Sequence, residues 1–195
     1  IGENNKKNIL YYFSHIIIYG LIISIIITFL GLNYSEKVFY LMGSSSEVTN
    51  LGTSYTNIIY YGSILFILVV SLNSILHAEG DTKTYRNVLI ISFFLNIILN
   101  PIFIFGFLFI PALGVKGIAI ATLIAQFVAF IIILIKVALN KRVKELTKKF
   151  FYIKFYYLKN IFFQSMPITI AISGYSIAAS IVYTYIGLSG EHAVA

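Results

Sequence analysis

The chain has no cysteine, and that absence removes disulfide bonds, thiol catalysis and cysteine-ligated metal sites together. Charge is the second scarcity. Only 11% of the 195 residues are Asp, Glu, Lys or Arg, and just 7 are acidic. The runs 8–35, 48–78, 87–115, 117–135 and 160–190 contain no charged residue at all. A water-soluble domain spreads charge over every helix and strand, because each shows a face to water. A soluble globular enzyme is therefore excluded. No carboxylate lies inside any of these runs, no two histidines are close in sequence, and neither a phosphate-cradling glycine loop nor a His-Glu-x-x-His helix occurs. The chain is expected not to be an enzyme and to carry no cofactor.

What is present is apolar: 59% hydrophobic residues and a mean hydropathy of +0.91. Each charge-free run reaches the ~18–20 residues that a helix needs to cross a ~30 Å hydrocarbon layer. Strands of a transmembrane barrel alternate polar with apolar residues, whereas Ile16-Ile17-Ile18 and Ile131-Ile132-Ile133-Leu134-Ile135 do not. The expected fold is an all-α polytopic membrane protein, a helical bundle with spans at about 9–32, 55–77, 85–110 and 117–135 and a fifth beginning near 160. Lys6 and Lys7 precede the first run, but it is too long for a signal core and four further spans follow. The chain opens at Ile1 without an initiator Met and stops at Ala195 just past a hydrophobic run, and we read it as an internal piece of a longer protein.

Five spans put successive loops on alternate sides. Lys6, Lys7, Lys83, Arg86 and the eight basic residues of 136–159 fall on one side, and only Lys37 and Lys116 on the other. That bias assigns the first side to the cytoplasm, with the end near Gly187–Ala195 outside. It also accounts for the net charge of +7 without nucleic acid. In 136–159 the basic residues interleave with Phe150, Phe151, Tyr152, Phe155, Tyr156 and Tyr157, which suits a linker lying in the anionic headgroup layer.

Polar residues inside the spans form stripes. Gly20, Ser24 and Thr28 recur every four residues, as do Gly117, Ala121, Ala125 and Ala129, and both series predict close helix packing. Thr122 and Gln126 border the second series as a polar edge. In the third span Ser92, Asn96 and Asn100 share one face beside Pro101, whose missing N–H deprives the Ile97 carbonyl of its donor and predicts a bend. Two readings stay open: the amides tie a kinked backbone to its neighbours, or they line an oxygen-rich pocket for a substrate or cation. Ser165, Thr169, Ser173, Ser176 and Ser180 form a hydroxyl stripe in the fifth span. It either faces a hydrated cavity or bonds back to the helix. His77 is expected to cap carbonyls at the end of the second span, and Asp81 or Thr84 to cap the start of the third. The loop Asn33–Thr53 reads as a short amphipathic surface turn.

Three blocks then carry a resemblance: Leu72-Asn73-Ser74-Ile75-Leu76-His77-Ala78-Glu79-Gly80-Asp81-Thr82-Lys83-Thr84, Leu95-Asn96-Ile97-Ile98-Leu99-Asn100-Pro101-Ile102-Phe103-Ile104-Phe105-Gly106, and Leu113-Gly114-Val115-Lys116-Gly117-Ile118-Ala119-Ile120-Ala121-Thr122. Their order and spacing resemble the multidrug and toxic compound extrusion (MATE) family, as does the terminal Gly187–Ala195. The resemblance implies a twelve-helix fold in two lobes, of which this chain covers about the third to seventh helices. On that mapping 1–135 belongs to the N-terminal lobe, 136–159 is the cytoplasmic inter-lobe linker and 160–195 opens the C-terminal lobe. It further implies a monomeric multi-pass protein of the plasma (inner) membrane that exports small organic cations or drugs by alternating access against Na+ or H+. Asn96, Asn100 and Thr122 match the family's cation-site positions, with Pro101 as the helix bend and no metal beyond Na+ at that pocket. Two departures stand out. Many relatives have an aspartate where this chain has Asn100, and some have a glutamate where it has Tyr175. A flippase for lipid-linked saccharides would want buried basic residues, and a non-catalytic assembly subunit would leave the polar stripes without a purpose.

Overall fold

The computed structural model describes residues 6–141, 143–145 and 148–188; the terminal segment resembling the MATE loop, from 189 on, lies outside them. Six helices follow in order: α1 Lys6–Leu41, α2 Ser46–Tyr61, α3 Ser63–Ala78, α4 Lys83–Phe105, α5 Val115–Leu139 and α6 Phe155–Leu188. Single 3₁₀ turns, Val143–Glu145 and Lys148–Phe151, lie between α5 and α6. Four helices are long and apolar enough to cross a membrane, and a fifth crossing results if the bent pair α2–α3 counts as one. The described residues thus form an all-α bundle with apolar side chains such as Ile25, Phe29 and Phe93 turned outward, as lipid requires.

α5 is the centre of the bundle, packed against α2, α3 and α4, and α1 closes the other side of α2 and α3. The small-residue series on α5 makes this possible: Gly117, Ala121, Ala125 and Ala129 are all buried. On α1 the series Gly20, Ser24, Thr28 meets α2 and α3, with Gly20 lying on the Ser71 side chain. Both packing expectations hold. The main apolar core joins Phe13, Val69, Leu72, Ile75, Leu76, Val88, Ala129, Ile133 and Val137 at one end of the bundle.

Two boundaries shift modestly, α5 running to Leu139 rather than 135 and α6 beginning at Phe155 rather than near 160, so both ends of the expected 136–159 linker are helix; three others differ more. First, α1 does not stop at 32 but continues to Leu41, and α2 begins at Ser46, so the expected loop 33–53 is mostly helix. No proline interrupts 33–41, and Gly31 is consumed by packing on the Tyr60 ring. The chain turns only at Gly43, whose φ of 75° suits glycine, and Ser45 then caps α2 through the Val48 N–H.

Second, the span expected at 55–77 is two helices meeting at Gly62 with a bend of 48°. A side chain at Gly62 would strike Leu123 of α5. Just before the bend the Tyr60 carbonyl accepts the Thr28 hydroxyl at 3.0 Å. Ser63 Oγ lies 2.6 Å from Thr28 Oγ1 and 3.2 Å from the Ser24 carbonyl, and its proton serves one of them. The hydroxyl seam of α1 therefore satisfies backbone that lipid could not. Thr28→Val is expected to lower stability by ~1 kcal/mol, read as detergent unfolding against Thr28→Ser, which keeps the donor and should match the parent.

Third, α4 ends at Phe105 rather than near 110, because Gly106 takes a φ of 82° and 107–110 close a two-residue antiparallel bridge. The carbonyls of Phe103 and Ile104 are then taken by the N–H groups of Leu113 and Gly114. α4 stays helical through Pro101, which is itself exposed.

The ends facing the linker are capped differently than expected at His77. Gly80, with a φ of 86°, lets its N–H donate to the His77 carbonyl while the Asp81 N–H donates to that of Leu76. This backbone Schellman arrangement replaces a side-chain cap, and His77 stays exposed. Asp81 does cap α4. Its two oxygens accept the Thr84 N–H at 2.9 Å and the Thr84 hydroxyl at 2.6 Å, and the Thr84 hydroxyl holds the carboxyl below its usual range.

Candidate functional site

The polar residues of α4 and α5 are positioned by one antiparallel interface. At one end Gly117 lies directly on the backbone of Phe103, and at the other Ile132 and Lys136 share a cleft with Thr84 and Val88. That register sets Thr122 at the depth midway between Asn96 and Asn100. Gln126 sits about 3 Å further along the helix axes from Asn96, two residues at ~1.5 Å each. Leu123, which lies against Gly62, belongs to the same level.

On α4 the flanking Phe93, Phe94, Ile97 and Ile98 are exposed, while Ser92, Asn96 and Asn100 are partly buried. The stripe is therefore the inward face of the helix. Asn96 spends its amide N–H on the Ser92 carbonyl at 2.9 Å, and Thr122 donates to the Ile118 carbonyl at 2.9 Å. Both donors are used within their own helices. The oxygens are not: Asn96 Oδ1, Asn100 Oδ1 and Gln126 Oε1 are buried and have no hydrogen-bond partner among the described residues. Thr122 Oγ1, having given its proton to Ile118, keeps lone pairs for a further partner.

A buried carbonyl without a donor costs about 1–3 kcal/mol. Three of them at neighbouring depths on α4 and α5 are acceptors of the kind that suits a cation or N–H groups. By spacing alone Gln126 belongs to a polar edge outside the pocket, yet its oxygen is buried and unpartnered among the described residues like those of the two asparagines. Asn73 Oδ1 of α3 is likewise buried and unpartnered. The signal for both was available in principle, since an amide inside a charge-free run must answer for its oxygen.

In the hydroxyl stripe of α6 the hydrogen bonds are local, while Ser176, Ser180 and Thr184 also line an open cavity. Ser165 bonds to the Phe162 carbonyl, Thr169 to Ser165, Ser176 to Ile172, Ser180 to Ser176 and Thr184 to Ser180, all within the helix. Tyr175 is exposed on the same helix. The linker differs too. Its aromatic residues do not all lie outward, for Phe150 and Tyr157 are buried against Leu10 and Tyr11 of α1 while Phe151, Tyr152, Phe155 and Tyr156 remain exposed.

Known proteins agree with this architecture. The MatE family model matches residues 1–102. The chain is 24% identical over 147 residues to the probable multidrug resistance protein YoeA of Bacillus subtilis, covering 75% of this chain and 32% of that protein. It is 30% identical over 129 residues to a FAD transporter of Shewanella oneidensis, covering 66% and 28% respectively. A solved inward-facing multidrug resistance MATE family transporter of the MOP superfamily superposes with a TM-score of 0.81 at 26% identity, over 95% of this chain and 41% of the other. The chain thus spans about a third of the length of the curated relatives it matches.

Proposed function

We propose, from the premise that this chain belongs to the MatE family, that it forms part of a secondary active transporter exporting organic cations by alternating access. The enclosed oxygens of Asn96, Asn100 and Gln126 support this reading most directly. Their presence costs stability and gains nothing in packing, which is the mark of a group kept for a ligand. Thr122 adds a hydroxyl oxygen at the same depth.

The donor set also bears on the coupling ion. Amides and hydroxyls do not titrate in the physiological range, so this cluster can exchange Na+ but cannot by itself carry a proton. Hard oxygen ligands suit an alkali cation, and the neutral set suits a singly charged one. Na+ antiport is accordingly the coupling we assign to this cluster, in the plasma membrane with the 136–159 linker on the cytoplasmic side. Na+ held here would take up the lone pairs of these oxygens and draw α4 and α5 together. Its release would leave the patch to the N–H groups of a cationic substrate.

Relatives named for multidrug resistance support export of drugs. A flippase or other carrier of phosphate-bearing substrates would need cationic residues in the cavity, and the charge-free runs supply none. The test is uptake of a fluorescent organic cation into inverted vesicles containing the full-length protein. An imposed Na+ gradient is expected to drive accumulation several-fold above a K+ control of equal ionic strength. Accumulation driven by a pH gradient alone, with Na+ without effect, would overturn the assignment of the ion. No accumulation under either gradient would overturn the export reading itself.

A further inference from the structure

His15 lies in α1 with no exposed surface, about 13 Å along the helix from its start at ~1.5 Å per residue. Its Nδ1 is 2.7 Å from the Tyr11 carbonyl oxygen, which can only accept, so Nδ1 carries the proton. Its Nε2 is 2.9 Å from the backbone nitrogen of Lys154, whose N–H can only donate, so Nε2 is bare. The ring is therefore held as one neutral tautomer by two bonds, one of them to a residue 139 positions away. Beside it Ser14 Oγ lies 2.6 Å from the Phe150 carbonyl, a second bond from α1 to the same segment.

Further contacts continue the attachment onto α6. Tyr157 donates its hydroxyl to Asn8 Oδ1 at 3.0 Å, and Asn160 donates to the Tyr12 hydroxyl at 3.1 Å. The Tyr11 ring stacks on that of Tyr157 at 5.1 Å and meets the Phe150 ring edge-on at 5.0 Å, and the Lys154 ammonium caps the Tyr11 ring at 3.9 Å. These contacts tie the 148–160 stretch to α1, and α6 reaches the rest of the bundle chiefly through that helix.

We propose that His15 is the proton-sensitive latch of this attachment: neutral, it holds the linker and the first turns of α6 against α1, and protonated, it releases them. The reason is donor geometry. A proton on Nε2 would point N–H at the N–H of Lys154, turning a bond into a repulsion and leaving two buried donors unpaired. Among the described residues, the titratable groups around the ring are the Tyr11 phenol from its own helix, the Tyr157 phenol from α6 at 5.2 Å between ring centres, and the Lys154 ammonium, which lies over the Tyr11 ring. Tyr12 and Tyr156 follow through Tyr157. None of these is a carboxylate, so none offers an imidazolium a counter-charge. The side chains of Glu145, Lys148 and Lys149 lie outside the described residues. The latch rests on the transporter reading only for its consequence, a freer α6 when the cytoplasm turns acid.

Amide hydrogen exchange of the full-length protein in lipid nanodiscs tests the latch without any transport assay. After correction for intrinsic exchange, protection of the Lys154 amide is expected to fall by up to about tenfold between about pH 7.5 and about pH 5.5, the most that one proton taken up on opening by a solvated imidazole supplies over that window. Amides in the middle of α5 should not follow it. In His15→Gln the side-chain oxygen can still accept from Lys154 but cannot titrate, so protection should be nearly flat over the same range. Parent protection as flat as that of H15Q, or an equal fall in both, would overturn the proposal. Should H15Q not assemble, the parent decides alone: an unchanged Lys154 protection factor refutes the latch.

Discussion

Asn96→Leu and Asn100→Leu, made singly in the full-length protein, are expected to cut export of a fluorescent organic cation by at least roughly tenfold, a loss of ~1.4 kcal/mol in the transport step. The same variants should reach the membrane at near-parent levels and unfold no more easily. The two expectations belong together. Each asparagine keeps a buried side-chain oxygen that no described donor satisfies, and replacing an unsatisfied buried amide by an isosteric apolar group is neutral or stabilising. Had the amides served only to fasten α4 to its neighbours, leucine would instead lower stability and leave the export of assembled protein intact. Asn96 also bonds the Ser92 carbonyl, but that carbonyl belongs to a continuous helix and loses little. The measurement is vesicle efflux normalised to assembled protein, alongside detergent unfolding. Unchanged export in both variants removes the pocket assignment.

Gly117→Val is expected to prevent accumulation of folded protein, at a cost of ~3 kcal/mol or more. Any Cβ at 117 would meet the carbonyl carbon and oxygen of Phe103, which are backbone atoms of a helix and cannot step aside. That carbonyl already accepts the Leu113 N–H at 2.9 Å, so displacing it undoes the turn between α4 and α5 as well. The register that brings Thr122 to the depth of Asn96 and Asn100 begins at this contact. Gly62→Ala offers the comparison, because there the obstacle is the flexible side chain of Leu123, and a smaller loss is expected. Fluorescence-detected size exclusion of both variants checks the ranking; equal, monodisperse yields for G117V and the parent would show that α4 and α5 separate at little cost.

The parts of the molecule that were legible beforehand share a cause. The packing seams of α1 and α5 appear as residues of small volume at helical spacing, and a helix pair of known period needs no further information to bring them together. The asparagine stripe was legible in the same way, as polar atoms that lipid would not tolerate on an outer face. The extension of α1 to Leu41 was not, because Gly31 suggests an ending until the Tyr60 ring is seen to occupy its open side. Gly62 at the bend lies against Leu123 of α5, and the carbonyl of nearby Tyr60 takes the hydroxyl of Thr28, 32 positions earlier. Which of two polar readings applied was equally hidden: the α6 hydroxyls bond inside their helix and the α4 amide oxygens do not, though both stripes look alike as letters.

The sequence by itself determined that this chain is a set of helices long and apolar enough to cross a membrane, and which helix faces are small or polar. Hydrocarbon imposes that outcome residue by residue: every charge excluded and every backbone amide satisfied within the helix is a local free energy, summed along the chain. Only the tertiary structure decided where the helices break, which oxygens remain without donors, and that His15 receives the backbone of Lys154. Those are properties of pairs far apart in the chain, and a pair's energy exists only once the bundle has closed around it.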